Sequence, residues 1–99
     1  MLAPTNEAEL AEVIAGAKGP LKIMGGGTRP VGAPVVGDVL STAGIKGIEL
    51  YEPGALTMVV KAGTPLAEVE AALAAENQRL PFEPMDHRVL MGTQGVPTI

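Results

Sequence analysis

Three consecutive glycines after a short apolar run are the feature that most constrains this chain. Residues 22–28 read Lys-Ile-Met-Gly-Gly-Gly-Thr, and Pro30, Gly32 and Pro34 oppose a helix directly afterwards. Glycines tolerate positive φ angles and close approach of the backbone to a ligand. Successive N–H groups in such a loop can form a concave anion site. The pattern therefore predicts a pyrophosphate-binding loop at Gly25–Thr28, and a glycine-rich surface turn is the alternative interpretation.

Neither of the two common phosphate-binding fingerprints fits this loop. No Gly-Lys-Ser/Thr run occurs in the chain, so it contains no Walker loop. A dinucleotide-binding Gly-x-Gly-x-x-Gly motif that starts at Gly25 would need a glycine where Pro30 stands. We therefore expect a phosphate loop that has no helix dipole behind it.

Composition narrows the classes of protein further. The 99 residues suffice for one small domain, and 46% of them are apolar although only Tyr51 and Phe82 are aromatic. The absence of cysteine and the single His87 exclude thiolate and histidine-cluster metal sites. A net charge of −4 without a basic patch argues against nucleic acid. No bilayer-length apolar run and no signal-peptide pattern are present, so we expect a cytoplasmic protein.

Hydrophobic periodicity and turn residues predict two helices. Thr5 and Asn6 are candidate N-caps of an amphipathic helix over residues 6–18, which Gly19-Pro20 ends. A second helix is expected from Pro65, capped by Thr64, to about Glu76, with Asn77 in a left-handed conformation behind it.

Short β-forming runs predict a small sheet between these helices. Residues 21–24 are expected to form a buried strand, and residues 39–42 are a weaker candidate. Residues 48–51 and 56–61 should pair as a hairpin around Glu52-Pro53-Gly54. An extended path is expected at 78–82 and loop at 83–99. The resulting fold class is α+β, a small sheet flanked by helices.

Four sequence blocks in the same order carry a family resemblance. They are Gly-Gly-Gly-Thr-Arg (25–29), Leu-Tyr-Glu-Pro-Gly-Ala-Leu (50–56), Ala-Gly-Thr-Pro-Leu-Ala-Glu-Val (62–69) and Phe-Glu-Pro-Met-Asp-His-Arg (82–88). Together they resemble the FAD-binding subunits of bacterial glycolate oxidases, which belong to the vanillyl-alcohol-oxidase-type (PCMH-type) flavoprotein superfamily. The resemblance implies that residues 1–99 are the first of the two α+β subdomains between which FAD lies, and that the second subdomain is absent.

The same resemblance implies roles for particular residues. Gly25, Gly26, Gly27 and Thr28 match the family's pyrophosphate loop, whose N–H groups face the diphosphate of FAD. A second cofactor-contacting region is matched by the block Pro84, Met85 and Asp86 and by Thr98-Ile99.

Three charged or titratable side chains near these blocks have weaker assignments. Arg29 beside the glycine loop is a candidate phosphate contact, and exposure to solvent is the alternative. His87 would orient a flavin or substrate, yet a solvated loop histidine is the simpler interpretation. Asp86 has no partner base and no second carboxylate at catalytic spacing, so we assign it no acid or base role and expect no catalytic residue in the chain.

The functional hypothesis is an FAD-binding part of a glycolate oxidase subunit that does not turn over glycolate by itself. In the family, flavin oxidises glycolate to glyoxylate in a complex with other subunits. The alternatives are a cofactor-free interaction module and part of another 2-hydroxy-acid flavin oxidoreductase. Without a second subdomain, an exposed apolar face would also favour self-association.

Overall fold

A computed structural model describes all 99 residues, 1–99. The α+β class predicted from the sequence is confirmed, although the strands form two separate pairs and not one sheet. The elements are, in chain order, α1 (Glu7–Ala15), β1 (Leu21–Met24), β2 (Asp38–Ser41), β3 (Ile48–Glu52), a 3₁₀ turn (Pro53–Ala55), β4 (Thr57–Val60), α2 (Leu66–Ala75) and α3 (Arg88–Met91).

Helix α1 starts where the sequence predicts and ends earlier. The Asn6 side chain accepts a hydrogen bond from the Glu9 N–H at 2.9 Å, which is the expected N-cap. The Glu9 carboxylate accepts in return from both the backbone N–H and the hydroxyl of Thr5. These bonds, the backbone one foremost, lower the pKa of Glu9. Gly16 caps the other end, so the helix ends at Ala15 and not near residue 18.

Strand pairing positions the glycine loop at the end of a parallel ladder. Strands β1 and β2 are parallel, with Met24 opposite Ser41, and Leu2 pairs with Leu40 on the other edge of β2. The predicted hairpin is confirmed: β3 and β4 are antiparallel, with a register shift between Ile48 and Leu50. Its turn depends on Leu56, which has a φ of 51°.

The start of α2 differs from the prediction. Thr64 does not cap the helix, because its hydroxyl is directed to other segments. The hydroxyl donates to the Lys61 carbonyl at 2.7 Å and accepts from the Gly47 N–H at 2.9 Å, and Thr64 is completely buried. Asn77 has a φ of 54°, which confirms the left-handed residue behind the helix.

The region after α2 is also not as predicted. No strand forms over residues 78–82. The Gln78 side chain accepts a hydrogen bond from the Tyr51 hydroxyl and donates to the Pro53 carbonyl, which fixes this segment against the hairpin turn. Burial, and secondly the nearby negative charge of Glu76, raise the pKa of Tyr51. Residues 83–99, expected to be loop throughout, contain the short helix α3.

The hydrophobic core is small for the length of the chain. The buried apolar side chains are Leu40, Ile45, Val69 and Leu73. The molecule is flat, measuring 46 × 34 × 17 Å, and its radius of gyration of 15.2 Å exceeds the ~13 Å typical of a compact chain of this length. Large apolar side chains remain exposed on both sheets and in α3, among them Ile23, Val59 and Val89. Much of the apolar surface of the fold therefore lacks a covering layer. No helix combines the length and apolar character needed to cross a membrane.

Candidate functional site

The glycine loop leaves the end of β1 with its backbone donors free. The Met24 carbonyl still accepts from the Thr42 N–H at 2.9 Å, and the ladder ends there. Beyond it, no N–H of residues 25–29 donates to any backbone or side-chain acceptor of the chain. Backbone donors that are shielded from water are nearly always paired, and Gly25, Gly26 and Thr28 are partly or fully buried. Their free N–H groups indicate a place where an external acceptor binds.

Close approach explains the first two glycines, and conformation explains the third. Of the three glycines, only Gly27 has a positive φ, 70°. A Cβ on Gly26 would overlap the backbone carbonyl of Val96. A Cβ on Gly25 would lie 2.8 Å from the Thr98 hydroxyl oxygen. The loop therefore packs directly against the segment Gly95–Thr98, which we call the C-terminal segment.

Thr28 ends the loop in a buried position. It is 6% exposed, and its carbonyl accepts a hydrogen bond from the Thr93 hydroxyl at 3.0 Å. Thr93 was not singled out in the sequence. Nothing local marks it, because its partner lies 65 residues away along the chain.

Two further hydrogen bonds hold the C-terminal segment in place. The Leu66 N–H donates to the Pro97 carbonyl at 2.9 Å, and the Ile99 N–H donates to the Thr64 carbonyl at 3.0 Å. These bonds tie the segment to the start of α2. Of the predicted site residues, Gly25–Thr28 and Thr98 are thus brought together in one place.

Arg29 follows the loop with its side chain exposed. Its guanidinium forms no ion pair, since the ion pair of this chain joins Arg88 and Asp86. A free cation beside unpaired N–H donors adds positive potential for an anion. The assignment of Arg29 to phosphate stays a prediction.

The block Pro84–Asp86 lies in different surroundings. Pro84 lines an open groove of about 450 Å³ against Glu70 and Ala74 of α2. Asp86 accepts from the Arg88 guanidinium at 2.6 and 3.0 Å, and this hydrogen bonding lowers the pKa of Asp86 to about 2. No hydrogen bond joins this block to the glycine loop. The predicted cofactor contacts of Pro84, Met85 and Asp86 stay predictions.

His87 and the acidic side chains offer no second chemistry. A His87 ring nitrogen, Nδ1, lies 2.9 Å from the Met85 carbonyl oxygen, a local contact that suits a structural histidine. No group of three or more histidine, aspartate or glutamate residues could hold a metal ion. The site presents a set of backbone N–H donors, which a ligand can approach closely because the glycines carry no side chains. Such a set suits an anion such as a diphosphate.

Comparison with known proteins agrees with this chemistry. The family described as "FAD binding domain" matches residues 1–93. Among curated proteins, a relative is "Glycolate oxidase subunit GlcE" of Escherichia coli (strain K12), 41% identical over 68 residues. That alignment covers 68% of this chain and 19% of the relative, so the chain matches about a fifth of that protein's length. No solved structure matches the chain significantly.

Proposed function

This chain belongs to the FAD binding domain family, and from that membership we propose that its glycine loop holds the diphosphate of FAD. The N–H groups of residues 25–29 are the donors, and Arg29 adds charge at the edge of the site. The proposal rests mainly on five consecutive unpaired N–H groups in a loop against which the C-terminal segment packs.

Burial separates this loop from other loops with unpaired donors. Residues 32–37 also contain unpaired N–H groups, but all of these residues are exposed and water can satisfy them. Gly25, Gly26 and Thr28 are partly or fully shielded, whereas Gly27 and Arg29 of the same loop are exposed. A bound anion is more strongly attracted by donors in shielded surroundings, because the local dielectric constant is lower.

The role of this chain is to bind and position the cofactor. When bound, FAD supplies the redox chemistry as a two-electron acceptor. The chain's residues fix the diphosphate through backbone donors, and the Val96 backbone packs against the loop at Gly26. No carboxylate or histidine shares a hydrogen bond with the loop, so acid–base chemistry is not assigned to these residues.

For the whole protein we infer oxidation of a 2-hydroxy acid, with glycolate as the first candidate. This inference rests on the relative's name and on 41% identity, and the matched part is 19% of that relative. Another 2-hydroxy-acid flavin oxidoreductase is the second candidate, since substrate contacts are not among the residues described. Because the relative is named as a subunit, we also propose that the protein works in a complex. The cytoplasmic location expected from the sequence stays a proposal.

Exposed apolar surface supports a second role, association of this chain with other copies of itself. Exposed apolar side chains lie on both strand pairs and on α3, and Leu50 is paired with Val59 on an outward face. We expect the isolated chain to self-associate through these side chains at high concentration. Sedimentation velocity at rising protein concentration measures this, and a strictly monomeric chain at every concentration would contradict it.

Calorimetric titration with three ligands tests the diphosphate site. We expect saturable FAD binding that ADP displaces, because ADP carries a diphosphate, and that riboflavin does not displace, because it has no phosphate. Circular dichroism confirms that the protein used is folded. Displacement of FAD by riboflavin and not by ADP would assign binding to the flavin ring and overturn the proposal.

A further inference from the structure

We propose that Thr93 is a positioning residue of the diphosphate site, which orients the peptide group between Thr28 and Arg29. The inference rests on the proposed function and names a residue that the sequence did not indicate. Its starting point is the hydrogen bond from the Thr93 hydroxyl to the Thr28 carbonyl, 3.0 Å long and partly buried.

Peptide geometry connects this bond to the ligand. In a trans peptide the C=O and the following N–H point in opposite directions, and the chain contains no cis peptide bond. A donor that holds the Thr28 carbonyl toward Thr93 therefore directs the Arg29 N–H to the other side. That N–H has no acceptor within the chain.

The orientation of the Thr28–Arg29 peptide group also affects the charge that a bound anion meets. If the Thr28 peptide turned over, its carbonyl oxygen would occupy the place of the Arg29 N–H and repel a diphosphate. The Thr93 hydroxyl opposes this rotation by engaging the oxygen. It therefore both presents a donor and keeps an acceptor away from the anion.

Thr93 is itself held from both sides. Its N–H donates to the Arg88 carbonyl at 3.0 Å, behind Gly92, which ends α3 with a φ of 66°. Beyond it, the C-terminal segment is tied to α2 by the Pro97 carbonyl. Because the backbone on which the Thr93 side chain stands is already held, little further chain entropy is lost when the hydroxyl makes its hydrogen bond, which favours a positioning role.

Replacement of the hydroxyl alone tests the proposal. Thr93→Val keeps the shape and removes the donor, and Thr93→Ser keeps the donor. We expect FAD to bind Thr93→Val roughly fivefold more weakly than the wild type, and Thr93→Ser within about twofold. Thr57→Val is the matched control, because it removes a hydroxyl that donates to the Ala55 carbonyl at 2.9 Å in the hairpin turn.

Hydrogen exchange distinguishes a Thr93 that orients the Thr28–Arg29 peptide group from a Thr93 that only anchors the C-terminal segment. The Ile99 amide, bonded to Thr64, should stay equally protected in the wild type and in Thr93→Val. Equal FAD affinity of Thr93→Val and the wild type would overturn the inference and leave the diphosphate site intact. Serine failing to restore affinity, or loss of protection at Ile99, would also overturn it. Absence of FAD binding by the wild type would overturn both the inference and the proposed function.

Discussion

Gly26 and Gly95 are in direct backbone contact, so that a Cβ on Gly95 would overlap the carbonyl oxygen of Gly26. This contact joins a loop near the start of the chain to a segment near its end. It forms the wall behind the proposed diphosphate site. The two glycines are therefore needed for packing, whereas Gly27 is needed for its backbone conformation.

Gly95→Ala should detach the C-terminal segment from the glycine loop. The added methyl group meets backbone atoms, which cannot move aside as a flexible side chain would. We expect a loss of about 1–3 kcal/mol in the free energy of unfolding, seen as a lower midpoint of thermal unfolding. The control Gly54→Ala places a methyl group where no atom lies within 4 Å, and it should be neutral or slightly stabilising. Equal midpoints for both variants would contradict the packing role.

Thr64→Val should destabilise the fold more than other threonine substitutions. It leaves the partly buried Gly47 N–H without its acceptor, and the Lys61 carbonyl keeps only the Thr64 N–H as a donor, at 3.0 Å. The expected cost is about 2 kcal/mol, measured by urea unfolding. Thr64→Ser retains the hydroxyl and should recover most of this loss. A cost no larger than that of the exposed Thr57→Val would show that the buried hydroxyl is dispensable.

A charge placed at Gly27 should weaken cofactor binding without changing the backbone. Asparagine and aspartate both tolerate the φ of 70°, and a Cβ here meets only the flexible Met24 side chain, at 3.3 Å. We expect Gly27→Asp to bind FAD about tenfold more weakly than Gly27→Asn, because the carboxylate repels the diphosphate. The difference should shrink at high salt. Identical affinities would place the diphosphate elsewhere.

Asp86 should titrate unusually low for an exposed carboxyl group. Hydrogen bonds from Arg88 lower its pKa from 3.8 to about 2. Since the folded state has the lower pKa, the interaction supports folding above about pH 4 and is lost as the pH falls toward 2. NMR titration of the Asp86 side chain measures this midpoint. Arg88→Gln should return it toward the ordinary value, and an unchanged midpoint in that variant would exclude Arg88 as the cause.

Local patterns predicted the elements whose causes are local. Asn6 begins α1, the hairpin turns at residues 53–56, and Asn77 follows α2, each because nearby side chains and φ preferences dictate it. The glycine triplet also led to the candidate diphosphate site, which stays a prediction. These are short-range effects that a single sequence displays directly.

The parts that were missed depend on contacts distant in sequence. Thr64 looked like a helix cap, but its hydroxyl bonds Gly47 from 17 residues away. The Thr93 hydroxyl bonds the Thr28 carbonyl 65 residues away, and the Gln78 side chain bonds the Tyr51 hydroxyl 27 residues away. The sequence also did not show that Gly26 has to leave room for the Val96 carbonyl. Spacing cannot show which distant segment will pack on a residue.

The most direct measurement is the amide spectrum of the ¹⁵N-labelled chain during titration with FAD. If the loop holds the diphosphate, the amide resonances of residues 25–29 should move downfield in a saturable way, and ADP should reproduce these shifts. The exposed N–H groups of residues 32–37 serve as internal controls and should stay in place. Saturable shifts confined to other parts of the chain, with residues 25–29 unchanged, would contradict the account.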